Sequence, residues 1–262
     1  MATAYSMQNM FNLIQCIMKK IFGLMLLLAT MVGLSSCEQE NDDLENQVQL
    51  SKTSYTMYSD ATTTIQGSGL TNATWSSDNE YVATANGDKL TSDKVGSTIL
   101  YCNGKKINVT VKPRYSLYTE PDMSWGSSKN SIISKYGNPY SNSGNTIIYK
   151  TSNSDVPLIA YMFDERGLYS CGAVVQLSAA SRLVDFLDER YVFYLVESSN
   201  YTASFAHCYG KKNNPQIDYG GQMAYQSSVG GILVVYASNN STRSADTNTI
   251  FNTMVESISC NL

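Results

Sequence analysis

Fourteen almost unbroken apolar residues, Ile21 to Leu34, lie directly behind Lys19 and Lys20 and directly ahead of Ser35-Ser36-Cys37. This run decides which part of the chain can fold as a globular protein. A membrane-spanning helix needs roughly 20 apolar residues, so the run is short for a span. Two lysines, a short apolar stretch and small residues before a processing point are the layout of an export signal. The competing reading is an N-terminal core helix with an incidental cysteine. It leaves the lysine pair and the Ser-Ser-Cys ending without a reason. Residues 1–36 are therefore read as the signal, with Met18 as the true start.

The ending Leu34-Ser35-Ser36-Cys37 closely resembles the bacterial lipobox. The resemblance implies that Cys37 is acylated, becomes the new N-terminus and ties the protein to a membrane. Glu38, Glu40, Asp42, Asp43 and Glu45 follow, with no base before Lys52. Such a run is expected to be a solvated tether over residues 37–47. It is similar to the acidic export tag of Bacteroides-type surface lipoproteins. That likeness implies an outer-membrane location exposed at the cell surface; a lipoprotein facing the periplasm is the alternative.

Removing residues 1–36 takes away two lysines and no acid, so the formal charge of −4 becomes −6. A net acid without a basic cluster argues against nucleic acid as a partner. Cys102, Cys171, Cys208 and Cys260 remain beside the anchor. An envelope location permits disulfides, and spacing does not choose among the connectivities. Cys171 and Cys208 both fall in strand-like runs of one domain and form the first-choice pair. Four buried free thiols are an equal alternative. With one histidine, His207, and no CxxC, neither a metal site nor another cofactor is expected.

From Val48 to Pro113 the chain reads as short alternating strands separated by turns. Ile107, Val109 and Val111 alternate with Asn108, Thr110 and Lys112, the period of a half-buried strand. Asn86-Gly87 and Asn103-Gly104 are hairpin signals. Trp75-Ser-Ser-Asp-Asn-Glu-Tyr-Val-Ala-Thr84, Val95-Gly-Ser-Thr-Ile99 and Val109-Thr-Val-Lys-Pro113 resemble the bacterial Ig-like domain group 2. The resemblance implies an all-β Ig-like sandwich over residues 48–113, with Trp75 as core plug and the role of a spacer or adhesion module.

Residues 114–262 alternate between helical and strand patterns. A helix is expected over Lys129 to Tyr136, stopped by Gly137 and Pro139. Strands follow at Asn145–Lys150, Val156–Phe163 and Leu168–Leu177, with a tight turn at Glu165-Arg166-Gly167. The order then repeats. A helix capped by Ser178 runs to Arg190. Strands follow at Val192–Glu197, Tyr201–Gly210, Ile217–Gln226 and Ile232–Ala237. A last helical stripe carries Ile250, Phe251, Met254, Val255 and Ile258. A helix followed by a strand meander, twice over, predicts an α+β domain: an antiparallel sheet with helices on one face. Trp125-Gly-Ser and Lys135-Tyr-Gly-Asn-Pro139 resemble the opening of small envelope lipoproteins of the β-lactamase-inhibitor-protein-like fold.

GxSxG, HExxH and phosphate-loop patterns are absent from the sequence, so no enzyme is expected. The candidate site is aromatic. Tyr201, Phe205, His207 and Tyr209 share one face of a strand, and Tyr219 and Tyr225 share one face of the next. If the helices cover the other face, these side chains form a recognition surface for a protein or glycan ligand. If they lie under the helices, they are core. The expected function is an outer-membrane lipoprotein whose spacer presents a binding domain. A structural or assembly role inside the envelope is the alternative.

Overall fold

The computed structural model describes residues 48–197, 202–239 and 247–261. Cys37, the tether and Tyr201 lie outside the described residues. The described chain is mostly β, with several antiparallel sheets, an arrangement compatible with a β-sandwich.

The first strands are β1 (Gln49–Leu50), β2 (Ser54–Tyr58), β3 (Thr62–Thr64), β4 (Gly67–Ser68), β5 (Trp75–Ser77), β6 (Ala83–Asn86), β7 (Lys89–Ser92), β8 (Gly96–Cys102) and β9 (Lys105–Lys112). They assemble as a four-stranded sheet β2-β9-β8-β5, a three-stranded sheet β3-β7-β6 and the pair β1-β4. The alternation in β9 is realised in full, with Ile107, Val109 and Val111 buried and the polar residues between them exposed. The β8–β9 turn is the two-residue type that the right-handed twist of a hairpin favours, because Asn103 (φ 45°) and Gly104 (φ 79°) both adopt positive φ. Leu90, Leu100 and Ile107 form the centre of the core. Trp75, expected as its plug, packs at the margin and is only partly buried.

Beyond this core come α1 (Lys129–Tyr136), β10 (Ser141–Ser143), β11 (Thr146–Lys150), β12 (Leu158–Asp164), β13 (Gly167–Val175), α2 (Ala180–Asp188), β14 (Val192–Glu197), β15 (Thr202–Lys211), β16 (Asn214–Gln226), β17 (Gly231–Ser238) and α3 (Thr247–Ser259). The eight strands form one antiparallel sheet in the order β10-β11-β12-β13-β17-β16-β15-β14. The order has a two-fold logic. Each edge begins a four-strand series in sequence order, and the two series meet at the β13–β17 pair. A helix precedes each series.

Ser128 caps α1 by accepting from Ser131 N at 3.1 Å, and Gly137 closes it by donating to Ile133 O at 2.8 Å. Ser178 does not cap α2. A tighter turn at Leu177–Ala179 comes first, closed by Ala179 N donating to Gln176 O at 2.9 Å, and α2 starts at Ala180 without a side-chain cap.

Helices cover both faces of the sheet, not one. Ile132 of α1 and Leu183, Val184 and Leu187 of α2 pack over Tyr161, Cys171, Phe205 and Tyr236. On the opposite face, Ile250, Phe251, Met254 and Ile258 of α3 pack over Ile148, Ala160, Val174, Leu233 and Val235. The cause lies in the central strands. β17 is buried at every position from Gly231 to Ala237, so both of its faces need an apolar cover.

The N-terminal β region and the eight-stranded sheet meet at a joint with little slack. Lys112 ends β9, and Leu117 already belongs to the next core. Between them, Arg114 N and Tyr115 N donate to the Glu189 carboxylate at 2.7 and 3.2 Å. Glu189 is 3% exposed and sits at the end of α2. It also accepts from Ser59 Oγ at 2.9 Å and from Arg190 Nη1 at 2.5 Å. A second clasp comes from the β15–β16 hairpin. Glu80 N donates to Gly210 O at 2.9 Å, Lys211 Nζ to Ser77 O at 2.7 Å, and Lys212 Nζ pairs with Asp93 at 2.8 Å.

Candidate functional site

One register row runs across the sheet on the face covered by α1 and α2. It reads Ile147, Tyr161, Cys171, Tyr236, Gly221, Phe205, Phe193, one residue from each of seven neighbouring strands. Gly221 belongs in this row because the Phe205 ring lies over it. A Cβ there would come within 2.4 Å of the ring and 2.8 Å of Val235 O. The row is therefore an apolar floor with four aromatic rings, in which the Phe205 ring fills the space a side chain at Gly221 would take.

Above that floor runs the segment Leu117–Trp125. Tyr118 stacks on Phe186 of α2, with ring centroids 4.6 Å apart, and shares a hydrogen bond of 2.6 Å with Tyr236 Oη. Glu120 then accepts from the hydroxyl of Tyr191, which lies 3.2 Å from the hydroxyl of Tyr219. Arg190 Nε lies 3.7 Å from the other Glu120 oxygen. His207 stacks on Tyr219 with centroids 5.0 Å apart and planes 7° apart, and Trp125 meets the same tyrosine edge-on at 6.0 Å. Glu120, Trp125, His207 and Tyr219 are half-buried, so the cluster opens to solvent on one side.

The electrostatics follow from this burial. Desolvation raises the Glu120 carboxyl above its usual range, against the opposing pull of Tyr191, Arg190 and His207. Burial likewise pushes the hydroxyls of Tyr118, Tyr191, Tyr219 and Tyr236 up, so all four stay protonated and can donate. Farther along the segment, Asp122 behaves differently. Burial favours its neutral form, but Lys135 at 2.7 Å and the Ser124 hydroxyl and N–H outweigh that and hold the carboxyl low. The arrangement offers hydroxyl donors, a carboxyl group, a guanidinium and flat aromatic walls within one small area. That is chemistry for recognition through hydrogen bonds and stacking.

The six aromatic residues chosen from the sequence do not form one exposed face. Phe205 is fully buried in the floor. His207 and Tyr219 join the Glu120 cluster on the helix-covered face, half-buried beside the segment that crosses it. Tyr209 and Tyr225 are exposed at 40% and 37%. Tyr209 pairs with Gln216, so the two tyrosines stand about 30 Å apart along β16 at roughly 3.4 Å per residue. Tyr209 also adjoins the hairpin tip that grips the N-terminal β region. Tyr201 lies outside the described residues. Of the two outcomes left open by the alternation, the covered one holds for Phe205, His207 and Tyr219, which lie on the apolar side of β15 and β16 that α1 and α2 pack over.

The first-choice disulfide is absent and the equal alternative holds in part: Cys102, Cys171, Cys208 and Cys260 are all free thiols, but only Cys102 and Cys171 are buried. Cys171 lies in β13 and Cys208 in β15, with β17 and β16 between them. Three strand steps amount to about 14 Å, well beyond the roughly 7 Å at which a disulfide can close. The same spacing separates Cys171 from His207. Burial pushes the Cys171 thiol well up, leaving it protonated. Among the described residues, no three His, Cys, Asp or Glu side chains gather as metal ligands would.

Glu120, Tyr118, Trp125, Tyr191 and Arg190 were not singled out from the sequence as site residues. The segment Tyr115–Trp125 has neither a period of two nor of 3.6, so no pattern marks what it crosses. Tyr191 and Arg190 read as the end of a helix, but the helix stops at Asp188 and both lie just beyond its Glu189 cap. Comparison with protein-family models, with curated proteins and with solved structures finds no match to this chain.

Proposed function

We propose that this chain is a lipoprotein of the outer membrane, anchored through Cys37 and exposed at the cell surface. In this reading residues 48–113 are an Ig-like spacer that presents residues 114–262, an α+β domain, to a protein or glycan ligand. The chain acts by binding, without catalysis. The observation that carries the reading is the joint. A spacer must transmit orientation as well as distance, and here Glu189 accepts hydrogen bonds from Ser59, Arg114, Tyr115 and Arg190 at one point while Lys211 and Lys212 fasten a second. The parallel pairing of β2 with β9, where the first long strand returns beside the last, supports the Ig-like reading. The half-open Glu120 cluster supports a binding role for the second domain.

The test is protease shaving of intact cells carrying the full chain, alongside a Cys37→Ala variant. Digestion on intact cells, together with release of the variant from the membrane fraction, is the expected result. Digestion only after the outer membrane is permeabilised would favour the structural lipoprotein facing the periplasm.

A further inference from the structure

On the α3 side of the sheet, away from Glu120, a cleft of about 520 Å³ opens between α3, the β10–β11 turn and the β12–β13 turn. Its volume lies within the roughly 300–1,000 Å³ typical of small-ligand sites. Thr249, Thr253 and Ser257 line it from α3. They stand four residues apart, so they form one line along the helix, about 12 Å from first to last at 1.5 Å per residue. Asn145 faces them from the β10–β11 turn, and Tyr169 adds an aromatic ring to the wall.

The chemistry of the lining selects among ligands. Among the described residues, Asp164 and Arg166 are its charged lining residues and lie 3.7 Å apart, so their charges offset each other. An anion would need an uncompensated cation. A peptide or lipid chain would need apolar sub-pockets, but Met162, Phe163 and Ile250 are only 2%, 5% and 6% exposed and form a closed floor. Serine and threonine hydroxyls both donate and accept, and the asparagine amide does the same from its two ends. A partner that matches this must also donate and accept at short intervals along its length. Thr253 Oγ1 already donates to Thr249 O at 2.8 Å, which leaves its lone pairs as acceptors. Sugar hydroxyls supply the complementary pattern, and a tyrosine ring suits the apolar C–H side of a pyranose.

We propose that this cleft is a carbohydrate-binding site that takes a neutral oligosaccharide lying along α3. The proposal rests on the reading of residues 114–262 as a binding domain, but it places the ligand on the face opposite Glu120.

The experiment presents the full mature chain to a panel of immobilised neutral oligosaccharides built from glucose, mannose, xylose or N-acetylglucosamine. Retention on at least one of these is expected. Thr253→Trp, which fills the cleft from an exposed position, should weaken retention at least tenfold, and Tyr169→Ala should also weaken it. Thr253→Trp should melt at the wild-type temperature; Tyr169 also packs on the core under α3, so Tyr169→Ala is compared at a temperature where it is fully folded. Lys89→Ala, at an exposed position of the N-terminal β region, should bind as wild type does. Retention on no member of the panel overturns the proposal, as does a folded Thr253→Trp variant that binds normally. Loss of binding in Trp125→Ala with Thr253→Trp intact would move the ligand to the Glu120 face, which sinks this site and spares the binding-domain reading. Protease shaving of cells tests the wider reading independently.

Discussion

The hydroxyl of Ser59 donates to the carboxylate of Glu189 across 130 positions of sequence, at 2.9 Å and out of contact with solvent. Ser59 lies in the N-terminal β region and Glu189 ends α2, so this bond belongs to neither core. It makes the melting of one region depend on the other. Glu189→Ala leaves the Ser59, Arg114 and Tyr115 donors and the Arg190 guanidinium without their acceptor, at a cost of about 3 kcal/mol. Calorimetry of the wild type should show one transition, and the variant should split it into two. An unsplit, unshifted transition would show that the joint does not couple the regions.

Gly221 and Phe205 make a second testable pair. Gly221→Ala puts a methyl group 2.4 Å from the Phe205 ring atoms and should destabilise the protein by about 2–3 kcal/mol. Combined with Phe205→Leu, the glycine substitution should cost much less than it does alone, because the clash goes with the ring. Additive losses in urea titrations would place the strain at Val235 O instead.

Glu120 predicts a pH dependence with a definite sign. Its carboxyl is raised above the ordinary value of 4.5 by burial, so the folded protein holds this proton more tightly than the unfolded chain does. Stability therefore falls as pH rises from about that value through the folded-state titration, then levels off. Below the unfolded-state value the effect vanishes. Glu120→Gln keeps an acceptor for Tyr191 and removes the titration. Its stability relative to wild type should rise across this window, and a difference constant with pH would refute the assignment.

Thiol reactivity separates the free cysteines from any bridged arrangement. Cys260 is exposed, Cys208 is half-buried, and Cys102 and Cys171 are buried. Alkylation of the native protein followed by mass spectrometry should label Cys260 first and spare Cys102 and Cys171. After denaturation without reductant all four should react. A reductant should leave the melting temperature where it was, and a drop would reinstate a disulfide.

Much of the second region was legible because its strands and helices obey simple periods. Lys129–Tyr136 has a polar cap before it and Gly137 after it, and the helix occupies those bounds. Val192–Glu197 likewise matches its strand residue for residue. The failure over helix placement has a specific cause. Ile232–Ala237 is apolar at six consecutive positions, which is the mark of a strand covered on both sides, and α3 supplies the second cover. The tyrosine face failed for a related reason. Alternation shows which side chains share a face of β15 and β16, but which element lies over that face depends on long-range packing. Glu120 left no trace at all, since its setting is made by five residues, Arg190, Tyr191, His207, Tyr219 and Tyr236, from 70 to 116 positions downstream.

The β13–β17 seam has a consequence for synthesis. β13 is buried at its last six positions, and β17, which covers its open edge, is made more than fifty residues later. Until then the first four strands end in a bare apolar edge, which is a template for pairing with any other chain. A second unfinished copy exposes the same bare β13 edge and is one such chain. Correct folding is thus a race between the chain's own second half and a stranger's first half, and it is won by keeping nascent copies apart.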